Sequence, residues 1–408
     1  MKKVELLAPA GNFSKLKTAL YYGADAVYVG GKSFSLRAFS DNFSNEELLE
    51  AVNYTHSLGK KLYVTVNIYA KNGDFDNLKT YLPYLEKIGV DGAIVSDPGI
   101  VYIAKEVAPK LELHLSTQAN TQNAYSSKFW EEQGIKRIVL ARELSLKEVK
   151  EISDALNGTE LEAFIHGAMC ISYSGRCLLS GYLTGRDGNR GECVQACRWN
   201  YAIKEVGKEN GEYYPIEEDE RGTYILNSKD LNLLDYIGDM ISAGVNSFKI
   251  EGRMKGEYYL ATVINAYRRA IDEYYRVGES YKNNPLYQTE LKKTFHRAFT
   301  TAYAFGSNDK TVNYENSQST GNSLFVASVL GYDDDKKAII VEMRNRFKKG
   351  DVLEILSPSD NFNKKILVDT VLDEKGNTVE DAKVVQQILY IKSDIKLNKG
   401  DILRRDIV

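Results

Sequence analysis

Histidine is scarce in this chain of 408 residues: only His56, His114, His166 and His296 occur. No His-Glu-x-x-His pair and no Gly-x-Ser-x-Gly run is present. The ligand pair of a metalloprotease and the nucleophile elbow of a serine hydrolase are therefore both missing. One hydrolytic arrangement stays open, a thiol of Cys170 or Cys177 activated by His166. Long apolar runs are lacking too, and nothing approaches the roughly 18 residues needed to cross a bilayer. The first eleven residues carry two lysines and a short apolar run, but Glu5 interrupts it. That run is too short for a secretory signal, so the expectation is a first strand in a cytoplasmic protein with no membrane contact. Charge of one sign is also missing: Lys plus Arg number 53 against 56 Asp plus Glu, a formal net of -3. No whole-molecule basic field draws in nucleic acid, so DNA is not expected and any RNA must meet a local patch. With 43% apolar and 27% charged residues and 31 Gly plus 7 Pro, disorder and collagen-like structure are excluded.

What is present is alternation. Short β-rich runs occupy 4–7, 23–29, 61–67, 89–95, 111–116, 134–140, 161–165 and 244–250, several opened by a glycine suited to a helix stop. The segments between them read as amphipathic helices, two of which begin with capping boxes, Ser44 with Glu47 and Ser145 with Glu148. Eight strand-helix units with right-handed crossovers predict an α/β fold, a (β/α)8 TIM-type barrel over 1–285, with an open doubly wound sheet as competitor. The connection from strand seven to strand eight is far longer than usual, which predicts a functional insertion at about 166–226 and a helix over 229–243. A helix over 256–277 follows, then a linker at 286–322. From 323 to 408, short β runs separated by turns such as Lys349-Gly350-Asp351 predict a small antiparallel β-barrel domain.

All four cysteines fall within 28 residues, Cys170, Cys177, Cys193 and Cys197, spaced C-x6-C-x15-C-x3-C. Disulfides are a poor cause in a cytosolic chain, whereas four thiolates suit zinc or an iron-sulfur cluster. Structural zinc sites usually start from tighter knuckles, and Cys170 follows the seventh strand at the face where barrel chemistry occurs. Both points favour iron-sulfur, with zinc as the alternative metal, holding the loop of a non-enzymatic binder. Around the thiols, Arg176, Arg186, Arg190, Arg198 and Lys204 outnumber Asp187 and Glu192, a local positive patch suited to thiolates, phosphates or carboxylates.

These residues resemble the collagenase-like peptidase family U-32. The resemblance rests on 162–170, Gly175-Arg176-Cys177 and Ser180, on Leu7-Ala8-Pro9-Ala10-Gly11-Asn12, on Ser116-Thr117-Gln118-Ala119-Asn120, on Ser228-Lys229-Asp230-Leu231 and on Phe248-Lys249-Ile250-Glu251-Gly252-Arg253. It implies a 4Fe-4S cluster on the four cysteines and support of hydroxylation rather than peptide cleavage. One branch of the family acts on the wobble uridine of tRNA with prephenate, a small dicarboxylate, as hydroxyl source. The appended C-terminal β domain looks most like that tRNA branch; longer relatives modify 23S rRNA and shorter ones serve quinone synthesis.

A barrel places Asn67, Asp97, Gln118, Arg142, His166, Lys249, Glu251 and Arg253 at strand ends. His166, Glu251 and Asp97 are the expected catalytic groups. Asn67, Gln118, Arg142, Arg176, Lys249 and Arg253 are the expected substrate binders, because amides read base edges and guanidinium forks grip carboxylates. A pair of Lys249 with Glu251 on one strand face is the structural alternative. In the C-terminal domain Arg344, Arg346, Lys348 and Lys349 form a basic turn that either touches RNA backbone or is simply solvated.

Overall fold

The computed structural model describes residues 3–36, 41–199, 218–219, 222–223, 228–306 and 319–407. Its first sheet contains β1 (Glu5–Pro9), β2 (Ala26–Gly30), β3 (Lys61–Val66), β4 (Gly92–Val95), β5 (Leu113–Leu115), β6 (Arg137–Val139), β7 (Glu160–Ala168), β8 (Asp230–Asn232), β9 (Ser247–Ile250) and β10 (Phe299–Thr300). Strands β1 to β7 pair in parallel in chain order, and β9 pairs in parallel with both β7 and β1, which closes an eight-stranded barrel. Helices follow the strands, among them α1 (Phe13–Tyr21), α2 (Asn45–Ser57), α3 (Phe75–Lys87), α4 (Pro98–Val107), α5 (Ala124–Glu132), α6 (Leu146–Ala155) and α7 (Leu179–Thr184). Both expected capping boxes form: Ser44 and Glu47 cap α2 reciprocally, and Ser145 and Glu148 cap α6. Each box satisfies two N–H groups that would otherwise have no partner at the helix start.

The stretch expected as a helix over 229–243 is split. Residues 230–232 form β8, antiparallel to the end of β7 (Asn232 opposite His166), and only Ile237–Ser242 is helical, as α8. The reason is tertiary: β7 is nine residues long and outlasts its pairing with β9, and β8 supplies the hydrogen-bond partners that its projecting end requires. The helix expected over 256–277 is α9 (Glu257–Val277), buried along most of its first four turns. Residues 286–306 of the expected linker continue through α10 (Pro285–Leu291) into β10, which pairs with β8. Residues 307–318 lie outside the described residues, as do 200–217, 220–221 and 224–227 of the expected insertion, Lys204 among them.

The C-terminal unit is an antiparallel sheet curled around its own core. Its strands are β11 (Ser323–Asp333), β12 (Ala338–Met343), β13 (Val352–Leu356), β14 (Lys365–Leu367), β15 (Val371–Leu372), β16 (Ile388–Lys392) and β17 (Ile402–Asp406), in the order β14-β13-β17-β11-β12-β16-β15. Val326, Val341, Leu353, Ile355 and Leu403 are among the apolar residues that fill it. The barrel holds this sheet through buried polar contacts: Tyr22 donates to the carbonyl of Leu356 at 2.9 Å, and Arg404 reaches Glu290 of α10 at 2.7 Å.

Candidate functional site

The C-terminal ends of the barrel strands surround a pocket with about 540 Å³ of empty space including its mouth. Six of the anticipated positions, Asn67, Gln118, Arg142, Lys249, Glu251 and Arg253, line the pocket, with Tyr28, Thr65, Ser116 and Phe164. Lys249 forms part of the floor. Its Nζ lies 2.7 Å from Glu162 Oε1 and 4.6 Å from the centre of the Tyr28 ring. Its partner is therefore Glu162 on the neighbouring strand, and not Glu251, because residues 249 and 162 project into the same barrel interior.

Glu162 is fully buried and also accepts from Arg137 Nη1 at 3.3 Å. Arg137 continues to Glu5 and Glu160, each at 2.6 Å, while Tyr63 and Ser247 donate to Glu5 at 2.8 and 2.9 Å. Burial opposes ionisation of Glu162, but the Lys249 and Arg137 charges overcome it, so its carboxyl stays below the usual range. None of Glu162, Arg137 and Glu5 was anticipated as part of the site. The available signal was a glutamate inside the apolar run of β7, where a charged side chain requires a partner.

Arginines form the walls. Arg142 Nη1 donates to the carbonyl of Ala168 at 2.7 Å, and its guanidinium sits 3.9 Å from the centre of the Phe164 ring. Arg253 is 3% exposed and donates to Thr65 Oγ1 at 3.1 Å. It fits because residue 30 is glycine: a Cβ there would stand 2.3 Å from Arg253 Nη1. Asn67 is held by Ser116 and by the backbone N–H of Leu36, both at 3.3 Å. Gln118 Oε1 is buried in the pocket wall and accepts no hydrogen bond among the described residues. Glu251 receives the Tyr28 hydroxyl at 3.4 Å.

Two expected catalytic groups stand elsewhere. Asp97 caps α4, its Oδ1 accepting from the N–H groups of Gly99 and Ile100 at 2.8 and 3.3 Å, and it does not line the pocket. Asp before Pro at a helix start is a capping signal in its own right. His166 is 2% exposed, boxed by the rings of Tyr259, Tyr267 and Phe299, with Nδ1 3.4 Å from the Tyr267 hydroxyl. Burial pushes its pKa down from 6.5 to about 3, so the ring is a neutral member of the barrel wall. The basic turn of the C-terminal sheet meets acids, with Arg344 on Glu342 at 2.9 Å and Arg346 on Asp381 at 2.6 Å.

The cysteine loop lies against the pocket wall. Tyr69 Oη donates to the carbonyls of both Gln118 and Gly175, at 2.9 and 2.7 Å, and joins the loop to the pocket-lining turn. Gly175 is at φ +73°, and a Cβ there would come within 2.2 Å of the Gln118 carbonyl oxygen, so only glycine allows this approach. Arg190 adds a fork onto Asp74 at 3.0 and 3.2 Å and donates to the carbonyl of Tyr69 at 2.7 Å. Glu143 accepts from the N–H of Ser174 at 3.1 Å, and Asn189 donates to the carbonyl of Cys177 at 3.0 Å. Arg176 is exposed on this loop.

All four thiols are free. Burial raises the pKa of the Cys197 thiol, Arg198 pulls against it, and Cys170, Cys193 and Cys177 push the same way as burial. Four cysteines on one loop are a donor set whose chemistry fits a thiolate-ligated group. Among the described residues, no three His, Cys, Asp or Glu side chains are gathered around a single-ion site. Beside the loop, Asp230 is gripped by Arg297 through its N–H at 3.0 Å and its Nη2 at 2.6 Å.

Comparison with known proteins gives this geometry a family. The model described as peptidase family U32 matches residues 11–314, and that of the peptidase family U32 C-terminal domain matches 321–404. The chain belongs to peptidase family U32. Among U32 relatives, tRNA hydroxylation protein P1 of Bacillus subtilis (strain 168) is 42% identical, with 99% of this chain and 95% of that protein covered. The tRNA hydroxylation protein P of Escherichia coli (strain K12) is 39% identical over 89% of this chain and 88% of its own length. A protein named collagenase from Porphyromonas gingivalis (strain ATCC BAA-308 / W83) is 33% identical over 74% of this chain and 73% of its own. No helix among the described residues of this U32 chain is long and apolar enough to cross a membrane.

Proposed function

We propose that this U32 chain is a cytoplasmic RNA-modifying enzyme that supports 5-hydroxylation of the wobble uridine of tRNA, with a 4Fe-4S cluster and with prephenate as hydroxyl source. The observation that carries this reading is the Tyr69 bridge, which sets a four-thiol loop against a pocket walled by Arg142, Lys249 and Arg253. Cys170, Cys177, Cys193 and Cys197 hold the cluster, which supplies electron transfer when bound. Arg142 and Arg253 offer planar forks to the two carboxylates of the co-substrate, and Lys249 adds a floor charge. Asn67 and Gln118 face the base edge, with the buried Gln118 Oε1 accepting from a base N–H. Glu251 is the carboxylate left at the pocket for proton transfer. The names of the two most fully covered relatives described above support tRNA as the substrate.

Nucleoside mass spectrometry of tRNA tests this directly. A strain lacking the gene loses 5-hydroxyuridine derivatives, wild-type chain restores them and Cys177→Ser does not; unchanged levels in the deletion strain reject tRNA hydroxylation. Protein purified without oxygen carries iron, sulfide and broad visible absorption, whereas zinc brings no colour. The collagenase-named relative motivates a second reading, peptide cleavage by Cys170 or Cys177. Against it, His166 is sealed in its aromatic box, and no thiol among the described residues is hydrogen-bonded to it. Gelatin cleavage abolished by alkylating these thiols would establish the second reading, and clean protein without turnover removes it.

A further inference from the structure

Large apolar side chains are unusually exposed on the cysteine loop. Of the twenty that stand exposed among the described residues, five lie within 173–199: Tyr173, Leu178, Tyr182, Leu183 and Trp199. An even spread over the chain would place about one there, and such concentrations mark interaction sites. Tyr182 is 87% exposed and Tyr173 58%.

The backbone beneath them is ordered by its own bonds. The helix Leu179–Thr184 packs against the turn Ala196–Arg198, and Val194 N–H donates to Ser180 Oγ at 3.2 Å. The N–H of Tyr182 bonds to the carbonyl of Leu178 at 2.9 Å, which sets these two side chains one turn apart on one face. Arg176 closes a turn onto the Tyr173 carbonyl at 3.0 Å, so an exposed cation lies beside an exposed ring. Gly175, within the same turn, touches the pocket-lining Gln118 turn. The Tyr173–Arg176 turn of this apolar and basic surface therefore adjoins the pocket-lining Gln118 turn, on a protein whose overall charge is -3.

We propose that this surface is a stacking platform for the unpaired nucleotides on either side of the base that enters the pocket. Tyr173, Tyr182 and Trp199 take base faces, and Arg176 takes a backbone phosphate. The proposal rests on the RNA-modifying reading above. Exposed rings present a π face to any base, and single-stranded loops splay bases that a duplex keeps stacked. Arg176 and Arg186, the exposed arginines of the loop, complement phosphate, while Arg190 is taken by Asp74.

The test uses full-length protein purified without oxygen, a fluorescent RNA hairpin with an unpaired loop and a fully paired duplex of equal length. Tyr182→Ala and Trp199→Ala each weaken hairpin binding by about 5- to 100-fold, as loss of one stacked base does, while Tyr182→Phe retains it. Duplex binding is weak and the same in all variants, and Tyr182→Ala keeps the visible absorption of the wild type. Arg176→Gln lowers the salt dependence of hairpin binding by about one unit of slope. Hairpin binding unchanged in both alanine variants overturns the platform. So does an equal loss on duplex, or loss of binding only to anionic phospholipid vesicles. If wild type binds the hairpin as stated while tRNA from the deletion strain keeps its hydroxylated uridines, the tRNA hydroxylation reading fails and the platform stands.

Discussion

Two buried charge clusters in this molecule are built from the same residue types and face different things. Under the pocket, Glu5, Glu160 and Glu162 surround Arg137 and Lys249. Between barrel and C-terminal sheet, Glu290 and Glu354 surround Lys293 and Arg404. The interface cluster is balanced, two acids to two bases, and Arg404 within it has no exposure at all. The barrel cluster holds an extra acid, but Glu160, at the start of β7, keeps 28% of its side chain exposed. Its other end, Lys249, lines the pocket. Buried ion pairs contribute little net stability against well-packed apolar residues, yet they cost a great deal when one partner is removed. The sealed cluster therefore acts as a lock on domain orientation, and the open one presents a cation to whatever occupies the pocket.

Breaking the lock has the largest expected effect. Arg404→Met leaves the buried Glu290 and the half-buried Glu354 with only Lys293 between them, and lowers unfolding free energy by about 3–5 kcal/mol in urea titrations. Ligand affinity per folded molecule stays at the wild-type value; a matching loss of affinity would show that the two clusters are not separate devices.

The next effect is on acid stability. The folded-state pKa of His166 is lowered to about 3, so the unfolded chain binds its proton first as pH falls. The stabilisation is complete above about pH 6.5 and is lost on the way down to about 3, with a slope of at most about 1.4 kcal/mol per pH unit. His166→Phe removes this share of the slope, as read from urea midpoints across that window.

Opening the pocket-side cluster sharpens the contrast. Glu162→Gln leaves the buried Lys249 without its near counter-charge and without the contact that holds its Nζ in the pocket floor. KM for the proposed dicarboxylate rises about 10-fold, roughly 1.4 kcal/mol. An unchanged KM would make Glu162 a packing residue. Arg253→Lys keeps the visible absorption and raises the same KM by a smaller factor, because charge survives and the fork does not. The smallest effect is at the surface: Arg346→Gln opens the exposed pair with Asp381 and leaves the unfolding midpoint unchanged.

Much of this was legible beforehand. Eight strand-helix units, both capping boxes, the C-terminal β strands and the convergence of four cysteines on one loop all follow from local pattern. Asn67, Gln118, Arg142, Lys249, Glu251 and Arg253 were placed at the pocket because a parallel barrel puts strand ends on one face. Asp97 was misplaced because position along a strand was weighed above the Asp-Pro capping signal. His166 lies inside β7, two residues before its end, and its environment depends on Tyr259 and Tyr267 of α9 and on Phe299, roughly 100 residues away or more.

What the sequence determined by itself is therefore whatever repeats over a few residues: strand and helix periods, caps, turns and the spacing of the thiols. Such features depend on neighbours along the chain, whose geometry the backbone dictates. Only the tertiary structure decided which charges are partners and which side chains reach the pocket. It paired Lys249 with Glu162 instead of Glu251, drew 230–232 into a strand on the end of β7, and joined Arg404 to Glu290 across the domain boundary. Those choices depend on burial, because a charge or a backbone N–H removed from water must find a partner wherever the fold brings one within reach.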